Sequence, residues 1–342
     1  MPLSELPGQA SAPLGQLAWQ PTSRYPEIVV LTPRVGFEDQ LDRHSIIFPQ
    51  AGRAIFTRGS PTGPLVAASV VRTDHYGVGM ECRINGVAIH FVEHGTGMPL
   101  VALHGAGVDH REIEAAVEAI VPGTGYRRIY PDLPGMGRST TDGLTCNNDV
   151  VKLLGDLIDH LAEGPALLLG HSYGAYLARG VAAKRPDVVL GLALLCPVAE
   201  RSRNVPDHDV VRQDADAYDE LEPAQRAGFD EYFVVRTLAT ARRYRDHVVP
   251  STTLVDEAAL GRIFSAWRVD VGSQTVTSPT LIAAGRRDSV VGYADATDLL
   301  ERYPHATLAV IEDAGHALMH ERPELLASLF RDWLDRARPH DK

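Results

Sequence analysis

The sequence predicts an α/β fold: a doubly wound, mostly parallel sheet covered on both faces, with a helical cap inserted between two strands. Three observations carry this. Short apolar runs alternate with amphipathic helical stretches over residues 81–195, and strands so connected lie parallel beneath their crossover helices. The alternation lapses over residues 199–274 and resumes at residue 280. Between these limits, the apolar run 166–169 passes through Gly170-His171-Ser172-Tyr173-Gly174 into a helical stretch, 175–184, that Pro186 stops.

Taken in order, residues 1–79 are rich in Pro and Gly and carry no amphipathic period long enough for a helix. They read first as a poorly ordered extension; the alternatives are that they are not native, with Met80 as the natural start, or that they form a small accessory domain. Residues 81–84 and 87–93 form a hairpin around Asn85-Gly86, the favoured two-residue turn. A buried strand, 99–103, ends in His104-Gly105-Ala106-Gly107, and a helix follows over about 111–121. Strand 126–130 leads into Pro131-Asp132-Leu133-Pro134-Gly135-Met136-Gly137-Arg138-Ser139. Residues 148–161 are amphipathic, with Val151, Leu154, Leu157, Ile158 and Leu161 on one face. Strand 188–195 closes the first half of the core, 80–198. The cap, 199–274, shows no clear strand, and its longest helical piece is 222–247. Core residues 275–342 hold strands 280–284 and 307–311, a helix over 294–301 and a final helix over 323–337.

Composition bounds what such a chain does. The 342 residues suffice for one large α/β domain with an insertion. A net charge of −11 without a basic run argues against nucleic acid. Cys82, Cys146 and Cys196 are odd in number and far apart, with neither disulfide framework nor zinc spacing, which favours a reducing, cytoplasmic setting. No apolar run approaches membrane-spanning length and no signal-peptide pattern opens the chain. Gly135-Met136-Gly137 lacks the third glycine of a dinucleotide fingerprint, and there is no phosphate loop. The basic cluster Arg236, Arg242, Arg243 and Arg245 reads as a solvated helix face.

The turn at Ser172 has a stereochemical logic. A residue at the apex of so tight a bend crowds its neighbours two positions away, and glycine alone lacks the clashing Cβ. The helix that follows aims its free amides and positive dipole end at any charge developing there. With these motifs in order, residues 81–338 resemble an α/β-hydrolase of the capped, lipase-like and esterase-like kind. The matching pieces are His104-Gly105-Ala106-Gly107, residues 132–139, Gly170 to Gly174, Gly285-Arg286-Arg287-Asp288 and Asp313-Ala314-Gly315-His316.

A serine hydroxyl needs a base that titrates near neutrality, which selects histidine. His316 follows strand 307–311 through a short loop on the same sheet edge as Ser172. His320 is the nearest rival and is expected to face solvent; His104 and His171 are expected beside the site as packed or hydrogen-bonding residues. Orienting the imidazole calls for a carboxylate. Asp288 is favoured, and the order Ser172, Asp288, His316 is that of the family; Glu200, just past strand 188–195, is the alternative. The family pattern draws oxyanion amides from the residue after the nucleophile, Tyr173, and from the loop after the third strand, assigned to Ala106, where Gly105 and Gly107 permit close approach.

The resemblance therefore implies a serine hydrolase without cofactor or metal, cleaving a carboxylic ester or lactone of a small-to-medium molecule. The same residues suit carbon–carbon bond hydrolysis, acyl transfer or peracid formation, and a receptor on this fold can retain them. An epoxide or haloalkane hydrolase would place Asp at position 172. The expected partner is a small-molecule substrate, with neither nucleic acid nor membrane, and the chain is expected as monomer or homodimer. Phe229, Tyr232, Phe233, Leu238, Phe264 and Trp267 are candidate pocket walls, mostly engaged in packing the cap.

Overall fold

The computed structural model of the protein describes residues 69–74, 77–198 and 205–338. The chain enters through β1 (Ser69–Asp74), β2 (Gly77–Ile84), β3 (Val87–His94) and β4 (Met98–Leu103), then α1 (His110–Ile120), β5 (Tyr126–Pro131) and α2 (Asn147–Ala162). β6 (Ala166–His171), α3 (Tyr173–Lys184) and β7 (Val189–Leu195) complete the first half. The insertion holds β8 (Arg212–Gln213), α4 (Pro223–Tyr232), β9 (Val235–Arg236), α5 (Leu238–Arg243), a π-helical turn (Tyr244–Val248), α6 (Val249–Ser251) and α7 (Glu257–Phe264). β10 (Thr280–Gly285), α8 (Ala294–Asp298), β11 (Ala306–Ile311), α9 (Leu318–Glu321) and α10 (Pro323–Ala337) follow.

Nine strands form one sheet in the order β1-β2-β3-β5-β4-β6-β7-β10-β11. The β1–β2, β2–β3 and β3–β5 pairs are antiparallel, and every pair from β5 to β11 is parallel. The β2–β3 turn takes left-handed backbone at both Asn85 and Gly86, as the Asn-Gly pair predicts. Alternate side chains of the central strands enter two separate cores. Val101, Leu103, Leu168, Leu192, Leu194 and Ile282 face α2 and α3. Leu100, Ala102, Leu167, Leu169, Ala193 and Leu281 face α1 and α10. Both faces being covered, these strands read as unbroken apolar runs.

Chain order reverses around β4, which lies between β5 and β6. Crossovers leave to opposite sides there, so the loops after β4 and β6 open a crevice at the carboxyl ends of the strands.

Three expectations need correction. The sheet does not begin at Glu81: β2 starts at Gly77, and β1 pairs with it, Ser69 opposite Glu81 and Val70 opposite Met80. The Ser-Val-Val-Arg-Thr-Asp run is short but β-branched, and it joins an edge that would otherwise be open. The rest of the expected extension, residues 1–68, lies outside the described residues. Second, the helix expected over 222–247 is broken. α4 ends before Phe233, whose backbone is extended, and α5 restarts at Leu238 behind a Thr237 cap. Third, the insertion contains two short paired strands, β8 and β9. Two-residue strands leave no period to read.

Candidate active site

Ser172 stands between β6 and α3 with φ of 53° and ψ of −115°, a conformation that L-residues seldom adopt. Its amide donates to the Leu195 carbonyl at 2.9 Å, tying the bend to β7. A Cβ on Gly170 would stand 2.4 Å from the Gly174 backbone, and one on Gly174 would stand 2.3 Å from the Leu103 carbonyl oxygen. Both glycines are therefore sterically required.

His316 and Asp288 converge on this serine. His316 Nε2 is 3.0 Å from Ser172 Oγ, and its Nδ1 is 2.8 Å from Asp288 Oδ2. The other Asp288 oxygen accepts the amides of Val290 and Val291, each at 2.9 Å, which fixes the plane of the carboxylate. Burial alone would raise the Asp288 pKa, but the His316 charge and these hydrogen bonds hold it below the ordinary range. Burial likewise opposes charge on His316, yet the Asp288 carboxylate outweighs it and the pKa rises. Glu200 lies outside the described residues.

The other predicted residues frame this group. Gly105 lies against it: a Cβ there would be 3.4 Å from His171 Nδ1 and 3.6 Å from Ser172 Cβ. Gly107 has φ of +78°, so the loop does need glycine at that position. His104 Nδ1–H donates to the Gly105 carbonyl at 2.8 Å, while its Nε2 accepts the Leu133 amide at 2.8 Å. It clamps the loop after β4 to the loop after β5 and stays neutral, burial lowering its pKa. Ala106 is half-buried on that loop. Tyr173 opens α3, where helix amides have no acceptor within the helix. Its phenol points elsewhere, donating to Asn147 Oδ1 at 2.8 Å and packing on Phe264 and Trp267.

His171 Nε2–H donates to the His316 carbonyl at 3.0 Å, while its Nδ1 is buried without a partner. Burial and the His316 charge, 4.9 Å away ring to ring, depress its pKa to about 4. Both histidines beside the serine are thus hydrogen-bonding residues, as expected. His320 is not solvent-facing: it is buried, with Nε2 3.7 Å from Glu112 Oε1 and its ring against Phe233. The chain folds back over it, because α9 is a single short turn beneath the insertion.

Sequence reasoning missed three buried acids. Glu112, in the first turn of α1, accepts the Tyr232 hydroxyl at 2.5 Å. Burial would raise its pKa, but His320, His171 and Tyr232 hold it at about 2. Asp132 accepts His110 Nδ1 and amide on one oxygen, and His90 Nδ1 and the Arg138 amide on the other. A Cβ on Gly137 would fall 2.1 Å from Asp132 Cγ, which explains the glycine in that motif. Glu321, on α9, accepts backbone amides of Gly315, Val234 and Val235. Only Asp132 carried a signal, its place in a recognisable motif.

Among the described residues two groups bring three metal-ligand atoms within 4.8 Å of one another: His171, Cys196 and His316, and His90, His110 and Asp132. In the first, burial pushes the Cys196 thiol far up, and both His316 nitrogens are engaged. In the second, the carboxylate already accepts four hydrogen bonds. Neither donor set fits a resident metal. Among the described residues no helix is long and apolar enough to cross a membrane.

The (E)-2-((N-methylformamido)methylene)succinate hydrolase of Acinetobacter baylyi is 28% identical over 260 residues, spanning 73% of this chain and 95% of that protein. The 2-hydroxy-6-oxo-6-(2'-aminophenyl)hexa-2,4-dienoic acid hydrolase of Metapseudomonas resinovorans is 24% identical over 271 residues, spanning 73% and 89%. An alpha/beta superfamily hydrolase of known structure from Oenococcus oeni superposes with a TM-score of 0.67 at 26% identity, covering 73% of this chain and 96% of that one. The sequence profile of one family matches residues 100–329, and with the sheet order and the bend at Ser172 it settles the assignment: the chain belongs to the alpha/beta hydrolase family.

Proposed function

We propose that the protein is a serine hydrolase cleaving a carboxylic ester or lactone of a small-to-medium molecule through an acyl-enzyme on Ser172. The reading rests on one observation: the imidazole of His316 is hydrogen-bonded to Ser172 Oγ through one nitrogen and to the buried Asp288 through the other. As Ser172 Oγ attacks the acyl carbon, its proton passes to His316 Nε2, and Asp288 stabilises the imidazolium. The carbonyl oxygen, now anionic, is received by the amides of Ala106 and Tyr173 at the helix N-terminus. Collapse expels the alcohol, which takes the proton from His316. Water then gives a proton to His316 and attacks the acyl carbon; as the bond to Ser172 Oγ breaks, His316 returns that proton to Oγ, releasing the acid and restoring Ser172. The insertion acts as a cap that limits substrate size.

A fluorophosphonate probe should label the protein, and Ser172→Ala should abolish labelling and reduce turnover on the order of 10⁴–10⁶-fold. Labelling that survives the substitution would falsify the assignment. A second reading, hydrolysis of a carbon–carbon or vinylogous bond, is supported by the names of the two relatives, which act on conjugated acids. A hydrolysis screen of graded acyl esters, lactones, thioesters and vinylogous diketones separates the two by kcat/KM.

A further inference from the structure

Glu321 is a buried carboxylate that the mechanism above does not use. Its Oε2 accepts the amide of Gly315, the residue before His316, at 2.7 Å. Its Oε1 accepts the amides of Val234 and Val235 at 2.8 and 3.0 Å, and these belong to the insertion. Among the described residues no lysine or arginine pairs with it. Burying a carboxylate without a cation is costly; three backbone donors offset part of that cost, and burial still leaves the Glu321 pKa raised.

The contacts around these bonds have the same pattern. The Val234 methyls press on Gly315, 3.0 and 3.1 Å from where a Cβ on it would stand. Ala317, the residue after His316, belongs to the insertion's own apolar cluster with Phe229, Phe233 and Tyr244. Tyr232 stands edge-on to the His316 ring, centroids 6.2 Å apart, and its hydroxyl is held by Glu112. The break in the expected long helix falls at this segment, where the amides of Val234 and Val235 turn to Glu321 instead of continuing α4.

We infer that Glu321 is a positioning residue for His316: one carboxylate seats the loop carrying the imidazole and the insertion segment Val234–Val235, so that the seating of the insertion sets the approach of His316 to Ser172. This rests on the reading of His316 as the base. The two oxygens are unequal, one holding two insertion amides and the other the single loop amide. In Glu321→Gln the amide oxygen keeps the pair, and the NH₂ turns toward Gly315 N–H, where two donors face each other. The defect then falls on the His316 loop while the insertion stays seated.

The test measures p-nitrophenyl acetate hydrolysis by wild type, Glu321→Gln, Glu321→Asp and His316→Gln, each normalised to the sites labelled by fluorophosphonate at end point. Displacement of a catalytic group by a distant change costs on the order of 10²-fold, so kcat of Glu321→Gln should fall by about that factor with KM little changed. The low-field proton resonance of His316 Nδ1–H, read by NMR, should shift or broaden in the same variant. Glu321→Asp keeps the charge with a shorter reach; it should recover part of kcat, and it carries the test if the Gln variant does not fold. Wild-type kcat per labelled site together with an unmoved resonance overturns the proposal. If His316→Gln stays active, the reading of the base falls instead; if wild type does not cleave the ester, the resonance alone decides.

Discussion

The bend at Ser172 and the loop at His316 deliver the two ends of one hydrogen bond, but they are held by different physics. β6 is central and buried along its whole length, paired with β4 on one side and β7 on the other. The bend beyond it is shaped by sterics: two glycines admit backbone contacts that no side chain would allow. Among the described residues β11 is an edge strand, paired only with β10, and it is buried only at Ile311. The loop beyond it is held by polar contacts from elsewhere in the chain: Asp288 on the ring, His171 on the His316 carbonyl, and Glu321 on the Gly315 amide. Steric shape is insensitive to pH and intolerant of atoms; a polar harness tolerates shape changes but answers to charge.

The largest effects should come from adding an atom at the bend. Gly174→Ala places a Cβ against the carbonyl oxygens of Leu103 and His104, both backbone atoms of a central strand and its loop. A loss of about 3 kcal/mol or more is expected, read as a lowered denaturation midpoint. Gly105→Ala is the contrast: its Cβ would make ordinary contacts at 3.4 and 3.6 Å, so the variant should melt near wild type. Equal melting of the two variants would remove the steric half of the comparison.

On the polar side, Asp288→Asn should cost on the order of 10⁴ in kcat while the protein stays folded, because the imidazole is left in the wrong tautomer. It also moves a titration. The base acts when neutral, so the acid limb of kcat/KM reports the His316 pKa. Burial lowers that pKa and the Asp288 charge raises it beyond compensation, so removing the charge should carry the limb to lower pH. Glu200→Gln should leave both rate and profile near wild type. A crippled Glu200→Gln with an active Asp288→Asn would exchange the two acids.

The same contrast explains what the sequence made legible. Glycines announce steric demands two residues either side of Ser172, and a buried central strand announces itself as the apolar run 166–169. Ser172, His316 and Asp288 are found because each follows a strand end, where chain position implies place. Glu112 and Glu321 are not, nor is the bond that Tyr232, named only as a candidate pocket wall, makes to Glu112, because these meetings come from tertiary folding alone: Glu321 bonds amides 87 and 86 residues away, and Tyr232 meets Glu112 across 120. No periodicity encodes such a meeting. The broken helix at Phe233 was hidden for the same reason, since the group that competes for its amides lies far along the chain. His320 read as exposed because its burial depends on the insertion folding back over α9.

The smallest effect concerns two neighbouring rings and has opposite signs for them. His171 has its pKa depressed from 6.5 to about 4 by burial and by the His316 charge. Between those values the unfolded chain binds a proton that the folded protein refuses, so stability is lost as pH falls through the window. His316 has its pKa raised, because Asp288 outweighs burial; its contribution is fully present below 6.5 and is lost as pH rises through the folded value. In His171→Gln a side-chain N–H can still reach the His316 carbonyl, and nothing titrates at that position. Urea unfolding at neutral pH and at about pH 5 should therefore show a shallower acid loss in the variant than in wild type, with similar stability at neutrality. Parallel losses in the two proteins would place the acid-sensitive group elsewhere.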